Sequence, residues 1–197
     1  MVEKYDRMEG AMEVPDFLLE ERKPSQLGAS EEVNRGALRG TAVHRVMECM
    51  DFAGFLDIDI NNLTAIKAFI TKELERMVPE LLSEEQRKLI NPEKILAFFQ
   101  SPVARRMAEA DKRGDLFVEK PFVMDYQGVL LQGIIDVFWL EDDRIVVLDY
   151  KTDRVQTNEE LKTRYETQLK LYADALCRIF SIKERKMETG EKLIYSF

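Results

Sequence analysis

The apolar positions of the chain change period once, near Gly114. Before it they recur at helical spacing. Glu31–Phe52 reads as one helix with Gly36, Gly40 and Thr41 in its middle, small residues that allow close approach to another backbone. Asn61-Asn62 caps a helix running to about Val78, with Ile66, Phe69, Ile70, Leu74 and Met77 on one stripe. Ser83 and Gln86 form a capping-box pattern for a short helix ending near Ile90. Asn91-Pro92 and Ser101-Pro102 each pair a cap with proline at the first helical position and start two more helices.

After Gly114 the pattern alternates, as in strands. Leu116–Met124 turns through Asp125-Tyr126-Gln127-Gly128 into Val129–Leu140, and Glu141–Arg144 turns that into a strand ending near Thr152. A helix over Glu159–Phe180 follows, and Leu193–Phe197 reads as a last strand. The order is α/β with a helical insertion at about 55–111, in one domain spanning 31–197. Residues 1–30, broken by Pro15, Pro24, Ser25 and Gly28, read as an irregular acidic lead-in.

Two carboxylates interrupt the apolar strands. Asp136 lies between Ile135 and Val137, and Asp149 between Leu148 and Tyr150, with Lys151 two residues on. Burying an unpaired charge costs several kcal/mol, so both need a partner. With Asp142-Asp143 as a two-residue loop, residues whose numbers sum to 285 face each other, and Asp136 and Asp149 do. Opposed Cβ atoms lie roughly 4.5–5.5 Å apart, within reach of one divalent ion. Alternation places Asp149 and Lys151 on one face and Tyr150 on the other. An even-length first turn brings Glu119 to the face of Asp136. The plainer alternative is a turn-flanking acidic strand with a surface salt bridge.

Composition narrows the class. The chain has 197 residues, 45% hydrophobic and 34% charged, which suits a single globular domain. The first 25 residues lack the apolar stretch of a signal peptide, and no run of about 18 apolar residues could span a membrane. Cys49 and Cys177 fall in helical patterns and read as buried thiols, so a reducing cytoplasm is the expected location. The net charge of −8 opposes strong stand-alone binding to DNA, although Lys151–Phe197 is slightly basic through Lys162, Arg164, Lys170, Arg178 and the Lys183–Lys186 cluster.

Asp136…Asp149-Tyr150-Lys151 has the form of the D-x(n)-(D/E)-x-K nuclease signature, moderately specific by itself. Its companions raise that specificity: His44 in Gly40-Thr41-Ala42-Val43-His44, a glycine three residues before Asp136, and Gln168 and Tyr172 four apart on the last helix, with Tyr165 three residues earlier. Singly, a lone histidine is more often structural and a Gln–Tyr pair a helix-surface contact. Together they resemble the RecB-like branch of the PD-(D/E)xK nuclease superfamily, and more narrowly the C-terminal nuclease domains of the AddA family of helicase–nucleases. The matching pieces are GTAVHRVME (Gly40–Glu48), EKPF (Glu119–Phe122), LQGIIDVFW (Leu131–Trp139), VLDYKTDRV (Val147–Val155) and RYETQLKLYADAL (Arg164–Leu176), from about Val14 to the end.

The resemblance implies a restriction-endonuclease-like core, a small mixed sheet flanked by helices. It implies Mg²⁺ or Mn²⁺ bound by His44, Asp136 and Asp149, with the Tyr150 backbone carbonyl as a further ligand. Lys151 becomes the catalytic lysine, Gln168 and Tyr172 lie beside the DNA path with Tyr165 near them, and Glu119 is a site carboxylate or its supporting partner. Single-stranded DNA is the expected substrate, delivered by the helicase part of a longer parent chain working with an AddB-like partner. There is no G-x-x-x-x-G-K-[ST] loop, so no ATP site is expected, and two cysteines cannot hold an iron–sulfur cluster. Three readings stay beside this one: an inactive nuclease-like DNA-binding scaffold, a stand-alone structure-specific endonuclease, and a non-nucleic-acid metal hydrolase, for which one histidine is few.

Overall fold

A computed structural model describes residues 31–126, 128–152, 158–182 and 187–197. The expected lead-in over 1–30 and the basic Lys183–Lys186 cluster lie outside the described residues.

The helices begin where their caps predict. Helix α1 spans Glu31–Cys49, and Asp51 caps a short separate turn, α2 (Phe52–Phe55), by accepting the Gly54 N–H at 2.9 Å. That cap is why the single helix expected over Glu31–Phe52 is two pieces. Asn62 caps α3 (Leu63–Met77). The reciprocal Ser83/Gln86 box starts α4 (Glu84–Leu89), and Asn91-Pro92 and Ser101-Pro102 start α5 (Pro92–Phe99) and α6 (Pro102–Arg113). Gly114, left-handed at φ 76°, ends α6 and releases the chain into the sheet.

The sheet has the order β1-β2-β3-β4, with β1 Leu116–Tyr126, β2 Val129–Glu141, β3 Arg144–Lys151 and β4 Glu188–Ser196. The β1–β2 turn is tighter than the four residues expected, because both strands run on until Tyr126 faces Val129. Two residues remain, and Gly128 takes the positive φ of 84° that such a turn needs. The β2–β3 turn is Asp142-Asp143, and pairs from Val137↔Leu148 to Glu141↔Arg144 keep the predicted register. The chain then crosses through α7 (Asn158–Ile182) and returns as β4, parallel to β3. β4 begins earlier than the expected Leu193, since its first half, Glu188–Lys192, is polar and carries no apolar signal.

Two cores sandwich the sheet. Val137, Trp139, Val146, Leu148 and Tyr150 face α1–α6, while Phe138, Leu140, Ile145 and Val147 face α7 at Leu169, Tyr172, Ala173 and Leu176. Along β2 the parity then changes. Beyond Asp136 it is the odd-numbered Ile135 and Leu131 that turn to α7. β1 switches in the same place, between Val118, which packs toward the helical block, and Phe122, which packs toward α7. At the switch the β1–β2 ladder passes from Val118↔Val137 to Lys120↔Ile135, omitting Glu119 and Asp136, and Glu119 has φ 46°. This break in an otherwise regular sheet is where the acidic residues gather.

Candidate active site

Asp136 lacks neighbours in both ladders, since its pairing to β3 also stops one residue earlier, at Val137↔Leu148. The strands open here, and the freed Tyr150 N–H donates to Asp136 Oδ2 at 2.8 Å. The residue is 9% exposed, and burial, then the charge of Asp149, pushes its pKa up to about 7.

His44 reaches this opening from α1. Gly40, one turn earlier, permits the approach: a Cβ there would stand 3.1 Å from Thr152 Oγ1 at the end of β3. His44 Nε2 lies 3.2 Å from the Tyr150 carbonyl. A carbonyl only accepts, so Nε2 donates to it and Nδ1 is the nitrogen turned toward the carboxylates. Nδ1 in turn lies 3.3 Å from Glu119 Oε1 and 3.6 Å from Asp136 Oδ1. Burial alone would lower the imidazole pKa, but the Glu119 hydrogen bond and the charges of Asp136, Glu119 and Asp149 leave it raised.

A neutral imidazole would turn its Nδ1 lone pair on two carboxylates, which is repulsive unless a proton or a cation lies between them. Ligand-capable atoms of His44, Glu119 and Asp136 all fall within 4.8 Å of one another, and a nitrogen with hard carboxylate oxygens suits Mg²⁺ or Mn²⁺. The donor set therefore fits a divalent ion. It differs from the expected trio in having Glu119, with Asp149 beside the cluster and not in it. The Tyr150 carbonyl, expected as a ligand, accepts from His44 and orients the ring.

Asp149 stands beside this group, 1% exposed. Its Oδ2 lies 2.7 Å from Lys151 Nζ. From α7, Gln168 Nε2 donates to Asp149 Oδ1 at 3.3 Å and to the Tyr172 hydroxyl oxygen at 2.6 Å. Lys151 Nζ also sits 4.2 Å above the Tyr165 ring. The helix residues expected near the substrate thus hold the Asp149–Lys151 pair. Burial raises the Tyr172 hydroxyl well above its ordinary range, so it stays protonated. A cleft of about 260 Å³ lined by Gly40, Thr41, His44, Arg45, Glu48 and Glu119 opens onto the site.

Arg39 went unnoticed in the sequence. Its Nη2 donates to the Thr152 carbonyl at 2.7 Å, a second tie between α1 and the end of β3. Its position five residues before His44, just ahead of Gly40-Thr41, is the only sequence signal that could have drawn attention to it.

A mixed sheet between helical layers, opened at its centre around buried carboxylates, a lysine and a histidine, defines an α/β domain of the restriction-endonuclease-like class. Comparison with known proteins agrees. Residues 16–197 match the PD-(D/E)XK nuclease superfamily, and the chain belongs to it. The chain is also 32% identical, over all of its length, to the A-type subunit of the ATP-dependent helicase/nuclease from Clostridium botulinum (strain Alaska E43), covering 15% of that protein. It is 36% identical over 82% of its length to the corresponding protein of C. botulinum strain Loch Maree, covering 13%. Identity to the corresponding protein of Clostridium perfringens strain 13 is 34% over 89% of the chain, covering 14%. The chain thus spans 13–15% of the length of these relatives.

Proposed function

We propose that this domain is a Mg²⁺- or Mn²⁺-dependent deoxyribonuclease, acting as an exonuclease on single-stranded DNA. The observation that carries the reading is the convergence of His44, Glu119 and Asp136, their ligand-capable atoms within 4.8 Å of one another, with the Asp149–Lys151 pair beside them. His44, Asp136 and Asp149 hold the ion in this reading, Glu119 joins them, and the second lone pair of the Tyr150 carbonyl remains available to it. A divalent ion held there would lower the pKa of bound water and polarise a phosphoryl oxygen.

The rest falls to the chain's own groups. Lys151, an ammonium paired with Asp149, donates a hydrogen bond to the attacking water and offsets charge developing on the phosphate oxygens. Tyr165 limits where that ammonium can swing. Gln168 and Tyr172 hold Asp149 against rotation, on the side where the strand passes.

By likeness to the helicase/nuclease relatives, the domain works in the cytoplasm within a longer chain. The motor of that chain feeds it DNA during double-strand break repair, alongside an AddB-like partner. Among the described residues no helix is long and apolar enough to cross a membrane.

Titrating Mg²⁺ and Mn²⁺ against an end-labelled single strand tests the reading: cleavage should need the metal and stop with chelator. Metal binding without cleavage would favour the scaffold alternative, and a preference for junctions or flaps would favour the structure-specific endonuclease.

A further inference from the structure

A second cavity, of about 180 Å³, borders Thr152 at the end of β3. Arg39, Asn91, Lys94 and Thr152 supply its polar lining, and Val43 and Phe197 are among its apolar wall. Two cations face it. Among the described residues neither has a carboxylate within ion-pair distance, although the chain as a whole carries an excess of acidic groups. Arg39 uses Nη2 on the Thr152 carbonyl, while its Nε is buried with no acceptor among the described residues. Lys94, in the first turn of α5, is exposed. A guanidinium and an ammonium converging on a cavity with a hydroxyl and an apolar wall have the chemistry to receive a phosphodiester and its sugar.

Helix α1 links this cavity to the proposed site. His44 meets the Tyr150 carbonyl and Arg39 the Thr152 carbonyl, so one helix touches alternate carbonyls of the same strand end. Those carbonyls are about 6.6 Å apart along a strand, a separation on the scale of neighbouring phosphates of a nucleic-acid strand. Resting on the nuclease reading above, we infer that Arg39 and Lys94 form a phosphate subsite. It grips the nucleic-acid strand at a phosphate beside the bond being cleaved and sets the register in which the strand enters.

The test is a binding titration of the purified chain with a fluorescein-labelled 12-nucleotide single strand over a range of salt concentrations. It compares wild type with Lys94→Gln, Arg39→Gln, the double variant and a charge control. The control is Lys192→Gln, five positions before Phe197 on β4. Each lost phosphate contact on a single strand should reduce the slope of log affinity against log salt by about 0.7. Lys94→Gln should therefore lose about 0.7 and the double variant about 1.4, with affinity weakened about 3- to 10-fold per change and the control unmoved. Arg39→Gln also removes the tie to Thr152, so Lys94→Gln, exposed and outside that tie, decides the matter should the arginine variant fold poorly. Slopes unchanged in both variants, in a wild-type protein that binds and cleaves the strand, would overturn the subsite and leave the nuclease reading standing. A wild type that neither binds nor cleaves would remove both.

Discussion

Lys151 reaches back along its own strand to Asp149, Nζ to Oδ2 at 2.7 Å. The two side chains share a face because they are two residues apart on β3. Each neutralises the other in a place where neither could be buried alone. For the proposed chemistry, Asp149→Ala and Lys151→Ala should each cut metal-dependent cleavage by at least about 100- to 1,000-fold, the cost of losing one preorganised charge contact. Rates on an end-labelled strand, with circular dichroism to confirm folding, measure this. Undiminished cleavage by pure Asp149→Ala protein would refute the assignment.

Tyr165 supplies the other side of the lysine's setting. A partly buried cation–π contact is worth about 0.5–2 kcal/mol. Tyr165→Leu should accordingly slow cleavage roughly 2- to 30-fold, and Tyr165→Phe, which keeps the ring, should retain more of the activity. The effect belongs in kcat, because Lys151 acts on the reacting atoms; a change confined to KM would contradict it.

Asp136 is held in a conformation that suits metal better than it suits an empty site. Its folded pKa of about 7 lies above the ordinary value, first through burial and then through Asp149. Folding therefore disfavours its charged form, and metal-free protein should lose stability as pH rises from about 4 through 7. Asp136→Asn can still accept the Tyr150 N–H and carries no charge. In chelator at pH 8 its melting temperature should exceed that of wild type by roughly 3–8 °C. The same variant should show no thermal shift on adding Mn²⁺. A lower melting temperature in chelator would show that the carboxylate stabilises the fold.

Glu141 provides a contrast away from the site. Arg106 donates to both of its carboxylate oxygens at 2.8 Å, and Trp139 Nε1 donates to Oε1 at 2.7 Å. The Arg106 hydrogen bonds, ahead of the opposing effect of burial, hold the Glu141 pKa below its ordinary value. The stability this contributes is present above the unfolded pKa and is lost as pH falls through the lower folded value. Glu141→Gln should cost about 1 kcal/mol at pH 7, after allowing for partial exposure. That corresponds to a melting temperature lower by roughly 2–4 °C, with the two curves converging below about pH 4. A constant gap down to pH 3 would mean the loss is one of packing.

Most of the architecture was legible before folding is considered. Caps at Asn62, Ser83, Asn91 and Ser101 mark real helix starts, because a cap is a hydrogen bond between residues two or three apart. The Asp142-Asp143 turn and the 285 register followed from alternation and loop length, which are equally local. Sequence order also assembled the motif that identifies the superfamily.

What lay beyond the sequence is non-local. The positive φ of Glu119 and the missing Glu119–Asp136 pair turn both strands over at one point. No periodicity announces this, since the registers on either side are continuous. Glu119 was expected on the face of Asp136 with its role open; packing put it with His44 and Asp136 and turned Asp149 to Lys151 and Gln168. The chain by itself determined which residues could do chemistry, through local hydrogen bonds and period. The folded structure decided which of them meet, because that depends on a helix and two splayed strands converging from positions as far apart as 44, 119 and 136.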